Sequence, residues 1–316
     1  MRTMVLSVLF CAAALVAQGS DDKKIVSIGS DTMSHLLKNC AEAFKAKNPA
    51  ATVEVQDPGS SAGIGAMINN QSDICPSSRP MKAEEIEKFA ASHDGNKPVE
   101  VRVALDGIVI YVHKDNPISQ ISMDQIARIF CEAPDVDAKD KKGKDLKKFG
   151  PKAKTWGDID ASLPAEWKSA KIVLYSRNAA SGTYAFFKEH ALGDRDYDKG
   201  CQEMPGTSSV VNGVAKDKFA IGYGGIGYKT EEVKLLPVAA KDGEPAVPAT
   251  VETVIQKKYP ISRALQIYLP KKPTGLVKDF MEFIVSAEGQ AIVGSDKVGF
   301  VPLPPELAAR EASKLK

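Results

Sequence analysis

The sequence predicts an α/β protein with a parallel or mostly parallel sheet, and three observations predict it. Short β-rich runs alternate with stretches of helical periodicity, the order in which helices cover a parallel sheet. The breaks between them are brief and rich in Gly, Ser and Thr, as where a strand turns directly into a helix. The chain has 316 residues, 43% apolar and 26% charged, which leaves room for two globular domains.

The elements follow in order. Lys24 to Ile28 reads as a strand, broken by Gly29-Ser30-Asp31-Thr32. Met33, Leu36, Leu37, Cys40, Ala41 and Phe44 then recur at helical spacing, so a helix runs toward Lys47 and stops at Pro49. The unit repeats as a strand over Thr52 to Val55, a loop over Asp57 to Ser61 and a helix from Ile64 to Ile68. Ile74 continues with a strand, and Ser77-Ser78-Arg79-Pro80 leads into an acidic helix, Glu84 to Phe89. Val101 to Val112 is a long β-rich run interrupted by Asp106-Gly107. Ser122 caps a helix that ends at Phe130.

Residues 132–154 read as an inserted, solvated loop with eight lysines between Lys139 and Lys154, a docking patch being the alternative. A second strand–loop–helix follows: Lys171 to Tyr175, Ser176 to Ser181, Thr183 to His190. Thr207-Ser208-Ser209 caps a helix over Val210 to Ala215. Phe219 to Tyr223 is a β run leading into Gly224-Gly225, and residues 240–250 form a loop of Pro and small residues. Ile261 to Leu269 is a strand and Leu276 to Val285 a helix.

The first twenty residues stand apart. Arg2, an apolar run from Val5 to Val16 and a small-residue exit mark a secretory signal cleaved near Gly19 or Ser20. The run is shorter than the ~20 apolar residues a membrane span needs. Phe10 is bulky where a lipoprotein signal has a small residue before its cysteine, which argues against an anchor at Cys11. The expected location is periplasmic or extracellular. Removing the signal leaves Cys40, Cys75, Cys131 and Cys201, which permit two disulfides in any of three pairings, or four free thiols. Net charge is +2 and no nucleic-acid motif is present, so no nucleic-acid partner is expected. The four histidines show no metal-ligand spacing, and no cofactor is implied.

One device recurs: hydroxyl residues and Gly between a strand and a helix. It occurs at Gly29 to Thr32, Gly59-Ser60-Ser61, Ser77-Ser78-Arg79 and Ser181-Gly182-Thr183. A helix N-terminus offers unpaired N–H donors and about half a positive charge. Several aimed at one point make an anion site, with Ser and Thr adding hydroxyl donors. Arg177, four residues before Ser181, adds a planar fork of donors with permanent charge.

At these loops the sequence resembles the substrate-binding protein of the high-affinity phosphate ABC transporter. The likeness runs from about Ile25 to Pro304. It includes Gly29 to Met33, Gly59 to Gly63, Ser72 to Met81, Ala104 to Val112, Ala220 to Gly224 and Tyr259 to Arg263. The R-x-x-x-S-G-T run from Arg177 to Thr183 is its most specific part. The resemblance implies a two-lobe periplasmic-binding-protein fold of type II, with two hinge crossovers and phosphate in the cleft. Asp106 to Val112 and Tyr223 to Tyr228 would be the crossovers. Residues 24–107 and 229–316 would form lobe I, and 108–228 lobe II. Ser30, Thr32 and Met33 of the first loop, Ser60 of the second, and Arg177, Ser181, Gly182 and Thr183 would line the site. The implied partners are inorganic phosphate and ABC permease subunits, with the chain itself a monomer.

Family members differ at the position of Ser78, where some carry an Asp that accepts the proton of phosphate. With Ser78 here, that acceptor must come from elsewhere; Asp106 is a candidate, or it pairs with Arg177. Arg79 is a second cation, a brace between lobes or a surface arginine. Binding of sulfate or molybdate stays open as an alternative.

Two motifs compete with this reading. Gly59 to Gly63 fits G-x-S-x-G, the nucleophile elbow of a serine hydrolase, but no histidine follows His190. Gly222 to Gly227 fits G-x-G-x-x-G, yet lacks the following amphipathic helix and reads as a flexible crossover.

Overall fold

The computed structural model describes residues 23–140 and 142–316. The secretory signal expected over residues 1–20 lies outside them. β1 (Lys24–Ile28) passes through a 3₁₀ turn at Asp31–Met33 into α1 (Ser34–Lys47). β2 (Thr52–Gln56), α2 (Ser60–Ile68), β3 (Cys75–Ser77) and α3 (Ala83–Ser92) follow. β4 (Val99–His113) is the longest strand. Beyond it come β5 (Ile121–Ser122), α4 (Met123–Phe130), α5 (Ala165–Lys168), β6 (Val173–Arg177) and α6 (Gly182–Ala191). β7 (Gln202–Met204), α7 (Thr207–Lys216), β8 (Ala220–Gly225), β9 (Val233–Leu236) and β10 (Val238–Ala239) precede α8 (Val251–Ile255). The described chain ends with β11 (Ser262–Leu269), α9 (Gly275–Val285), α10 (Ala287–Val293) and α11 (Pro305–Ser313).

The large sheet has the order β3-β11-β4-β8-β6-β7, with β9 also on β4. β4 makes this one structure out of two lobes. Its first part, Val99 to Gly107, pairs antiparallel with β11. Its second part, Ile108 to His113, pairs antiparallel with β8 and β9. The parallel pairs are β1 with β2, β6 with β7 and with β8, and β5 with β10. The sheet is therefore mixed, a correction to the mostly parallel expectation. A strand that crosses between lobes is flanked by neighbours running the other way. A strand–helix–strand reading sees only the local parallel units.

Asp106-Gly107 does not interrupt β4. Asp106 lies in register opposite Arg263 and Gly107 opposite Ser262, so the polar residue is held inside the ladder by a countercharge. The core is aromatic-rich on the β8 side, where the Phe187 and Tyr223 rings stack at 3.8 Å and Phe130 meets Tyr223 edge-on at 5.6 Å. Burying such a side chain stabilises by about 1.5–3 kcal/mol.

The lysine-rich segment is pinned rather than free. Buried Arg195 donates to the carbonyls of Lys147, Ala133 and Leu146 at 2.8, 2.9 and 3.3 Å. Lys152 Nζ donates to the carbonyls of Ile129 and Cys131 and pairs with Asp198. Among the described residues all four cysteines, Cys40, Cys75, Cys131 and Cys201, are free thiols, the first three buried, and no disulfide forms. Burial pushes the Cys40 thiol up to about 12. Among the described residues no helix is long and apolar enough to cross a membrane.

Candidate functional site

Four loops meet where the two parts of β4 join. The first loop, between β1 and α1, is drawn in by backbone bonds: Gly29 N–H donates to Gln56 O at 3.0 Å and Ser30 N–H to Pro76 O at 2.8 Å. The second turns β2 into α2 at Gly59, whose φ of 114° favours glycine. A Cβ there would also sit 2.5 Å from Ala180 O on the opposing loop. The third loop leaves β3 and carries Ser78 and Arg79. It does not open a helix, because α3 starts only at Ala83. The fourth opens α6, where the Ser181 hydroxyl accepts from Thr183 N–H and Tyr184 N–H at 3.1 and 3.3 Å.

These loops bring hydroxyls from distant parts of the chain into contact. Thr32 Oγ1 and Thr183 Oγ1 are 2.7 Å apart and buried. Ser60 Oγ lies 3.3 Å from Ser78 Oγ and accepts from Ser78 N–H at 3.1 Å. Gly182 sits directly against both: a Cβ there would lie 2.4 Å from Ser60 Oγ and 2.7 Å from Ser78 Oγ. Ser30, Thr32, Met33, Ser60, Ser78, Arg79, Asp106, Arg177, Ser181, Gly182 and Thr183 are all buried. Met33 is drawn away from the cluster, with its side chain in the core and its N–H donating to Ser30 O at 3.1 Å.

Arg263 ties the cluster together, and the sequence reading did not assign it. Its Nη2 donates to Asp106 Oδ2 at 2.7 Å and to Thr183 Oγ1 at 2.9 Å, and its Nη1 to Ser78 O at 2.8 Å. Its Nε reaches the same Asp106 oxygen at 2.9 Å. The available signal was the Tyr259 to Arg263 run, which ends in a charge that the strand pattern places inside a sheet. Because arginine only donates, Thr183 Oγ1 accepts from it. The Thr183 hydrogen is thereby free for Thr32 or for a guest. Burial pushes the Asp106 carboxyl above its ordinary range, against the pull of Arg263 and of the Ile226 N–H.

Arg177 lies elsewhere than its pairing with Asp106 would require. Its Nη1 is 3.0 Å from Asp31 Oδ2 and donates to Thr207 Oγ1 at 2.7 Å; Nη2 donates to Pro205 O at 3.0 Å. Its Nε is buried without a partner. Arg79 is no surface arginine. It forms a two-pronged pair with Glu85 at 2.6 and 2.7 Å and donates to Ser61 Oγ at 3.0 Å. A cleft of about 1200 Å³ opens beside the cluster, lined by Ser61, Arg79, Tyr184 and Phe186 and reaching Lys139 and Lys142 of the inserted segment.

The rival motifs lose their context here. Ser61 accepts from Arg79, and no histidine among the described residues hydrogen-bonds to Ser60 or Ser61. The Gly222 to Gly227 run is strand followed by a 3₁₀ turn, with no helix after it. Its glycines serve close packing: Cβ atoms at Gly222 and Gly224 would lie 2.6 Å from Val210 and 2.4 Å from Thr207 of α7.

A PBP superfamily domain model matches residues 16–288. The chain belongs to the PBP superfamily. Its relatives in that superfamily include the phosphate-binding protein PstS of Pseudomonas aeruginosa, 36% identical over 293 residues, 92% of this chain and 86% of the relative. The PstS of Staphylococcus saprophyticus is 29% identical, covering 94% and 86%. Among solved structures, one from Clostridium perfringens, described as a candidate phosphate ABC transporter substrate-binding protein with bound phosphate, aligns with a TM-score of 0.71 at 29% identity. That match covers 89% of this chain and all of the other. The two-lobe architecture threaded by β4 is thus the PBP superfamily fold, and the hydroxyl cluster lies where the two parts of β4 join.

Proposed function

We propose that this protein is an exported solute-binding protein that captures inorganic phosphate between its lobes and delivers it to an ABC permease. The observation that carries the reading is the meeting of Thr32 and Thr183, 151 positions apart, within a buried ring of Ser60, Ser78, Gly182 and two arginines. Hydroxyls and charged donors packed this way replace the water shell of a tetrahedral oxyanion. Each charge-assisted bond contributes roughly 1.5–3 kcal/mol. The phosphate-binding names of the relatives support the choice of anion.

Lobe I comprises residues 24–107 and 229–316, and lobe II residues 108–228. The β4 stretch from Asp106 and the segment from Tyr223 to Tyr228 are the hinge crossovers. The protein works as a monomer in the periplasm or outside the cell, and it does no chemistry on the anion. Thr32, Ser60, Ser78, Ser181, Gly182, Thr183 and Arg177 form the site, with Ser30 and Met33 shaping the first loop. Arg79 braces the rim through Glu85. Asp106 acts through Arg263 and leaves proton acceptance to hydroxyls, which both donate and accept.

Titration calorimetry with phosphate, sulfate, arsenate and molybdate tests this. Phosphate and arsenate should bind with one site per chain, and sulfate more weakly. A preference for sulfate or molybdate would reassign the anion, and no binding of any of them would end the reading.

A further inference from the structure

The first loop carries a carboxylate for which anion capture gives no reason. Asp31 Oδ2 lies 3.0 Å from Arg177 Nη1 and accepts from the Thr207 N–H at 2.9 Å and the Thr207 hydroxyl at 3.3 Å. Thr207 opens α7, whose cap residue is Gly206, with no side chain to accept the first N–H groups. The sequence pattern placed the cap at Thr207 to Ser209; the carboxylate that does the capping comes instead from residue 31, in the other lobe. A negative charge is what a helix N-terminus favours. Gly206 is needed for the approach, since a Cβ there would lie 2.7 Å from Asp31 Oδ1. The loop is held from behind as well: the Tyr228 hydroxyl lies 2.8 Å from Asp31 O and 3.1 Å from Thr32 O.

We propose that Asp31 is a cross-cleft latch, a positioning residue that clips the first loop to Arg177 and α7 when the lobes meet and so slows release of the anion. This rests on the phosphate reading above. Its bonds join the first loop, in lobe I as divided above, to Arg177 and Thr207 of lobe II, so on that division they exist only while the cleft is shut. The attraction is screened by water when the lobes part and strengthens as the cleft dries. Asp31 touches the anion only through Arg177, which it fixes while leaving Nε unpaired.

Stopped-flow binding of inorganic phosphate to the full mature chain tests the latch. Asp31→Asn keeps an acceptor for Thr207 but loses the charge, and should raise the phosphate dissociation rate about tenfold, equivalent to about 1.4 kcal/mol. Asp31→Ala should raise it further, with association within about twofold of wild type and melting temperature nearly unchanged. Gly206→Ala, which crowds Asp31 without altering any charge, should give the same kinetic signature. An unchanged dissociation rate in all three overturns the latch. So does tighter binding of both phosphate and sulfate by Asp31→Asn, because Asp31 would then merely screen Arg177. These results leave wild-type phosphate binding intact, whereas a wild-type chain that binds no phosphate removes the underlying reading and the latch with it.

Discussion

Two arginine–carboxylate pairs flank the hydroxyl cluster, and they are built differently. Arg263 and Asp106 face each other in register on neighbouring strands, with side chains 1% and 0% exposed. Arg177 ends β6 and Asp31 lies in the first loop; the arginine is as buried as Arg263, at 1%, but the Asp31 side chain is 19% exposed. The same chemistry therefore has two mechanical settings. In the first, the sheet fixes the distance and the pair belongs to the scaffold. In the second, no strand pairing fixes it, and under the lobe division proposed above the pair opens with the cleft. The difference in burial lies on the carboxylate side alone: Asp31, outside any ladder, is reached by water, and Asp106 is not.

The sharpest way to break the comparison is to remove one carboxylate from each pair and measure unfolding in urea without phosphate. Asp106→Asn leaves the buried Arg263 charge uncompensated and should cost about 3–5 kcal/mol. Asp31→Asn should cost no more than about 1 kcal/mol, because water reaches the carboxylate and Arg177 keeps Thr207 Oγ1 and Pro205 O as acceptors. Equal losses would show that both pairs are scaffold. Glycines give a second contrast. Gly182→Ala drives a methyl into Ser60 and Ser78 of the second and third loops. Phosphate affinity should fall at least about 100-fold, equivalent to about 2.7 kcal/mol, with little change in urea midpoint. Gly107→Ala meets Tyr259 and Val254 at 3.3 Å beside its own strand and should lower the midpoint while binding persists. If Gly182→Ala destabilises as much as Gly107→Ala, the loops are not separable across the cleft.

A smaller effect is expected at the hydroxyl that joins the two settings. Thr183→Val removes the acceptor of Arg263 Nη2 and the partner of Thr32 while nearly keeping volume. One charge-assisted bond is lost, roughly 1.5–3 kcal/mol. Calorimetry should therefore show phosphate affinity reduced by about ten- to 100-fold. Retained affinity would mean that Arg263 serves β4 alone.

Much of this architecture was legible in the sequence because it is local. The helix over Met33 to Lys47, the Ser122 cap and the Ser181 cap are set by residues within one turn of each other. The loops that form the cluster were legible too, since Gly and hydroxyl residues between strand and helix announce them. What stayed hidden depends on partners far along the chain. Asp106-Gly107 reads as a break until Arg263, 157 residues away, supplies the countercharge that lets it stay in a strand. Asp106 reads as a proton acceptor or as the partner of Arg177, and only the fold offers Arg263 to the one and Asp31 to the other. The capping of α7 by Asp31, 176 positions away, leaves no periodic trace at all.

A third pair shows what happens when both partners belong to one loop and its helix. Arg79 and Glu85 are six positions apart, and the bridge spans no cleft. Burial pushes the Glu85 carboxyl up, but the Arg79 hydrogen bonds, the Lys82 N–H and both positive charges outweigh it and hold the group below its ordinary value. A carboxyl with a depressed folded-state pKa adds stability that is complete above the unfolded value, about 4.3. That stability is lost as pH falls through the folded value. Glu85→Gln should therefore cost about 1 kcal/mol at pH 7. The gap from wild type should narrow as pH falls below the unfolded value and close below the lowered folded value, since both chains then lack the charge. Phosphate release rates should not change, because this pair stays intact whether the cleft is open or shut. A faster release rate in Glu85→Gln would place Arg79 with Arg177 among the parts that move, and the division into scaffold and latch would have to be drawn through the third loop.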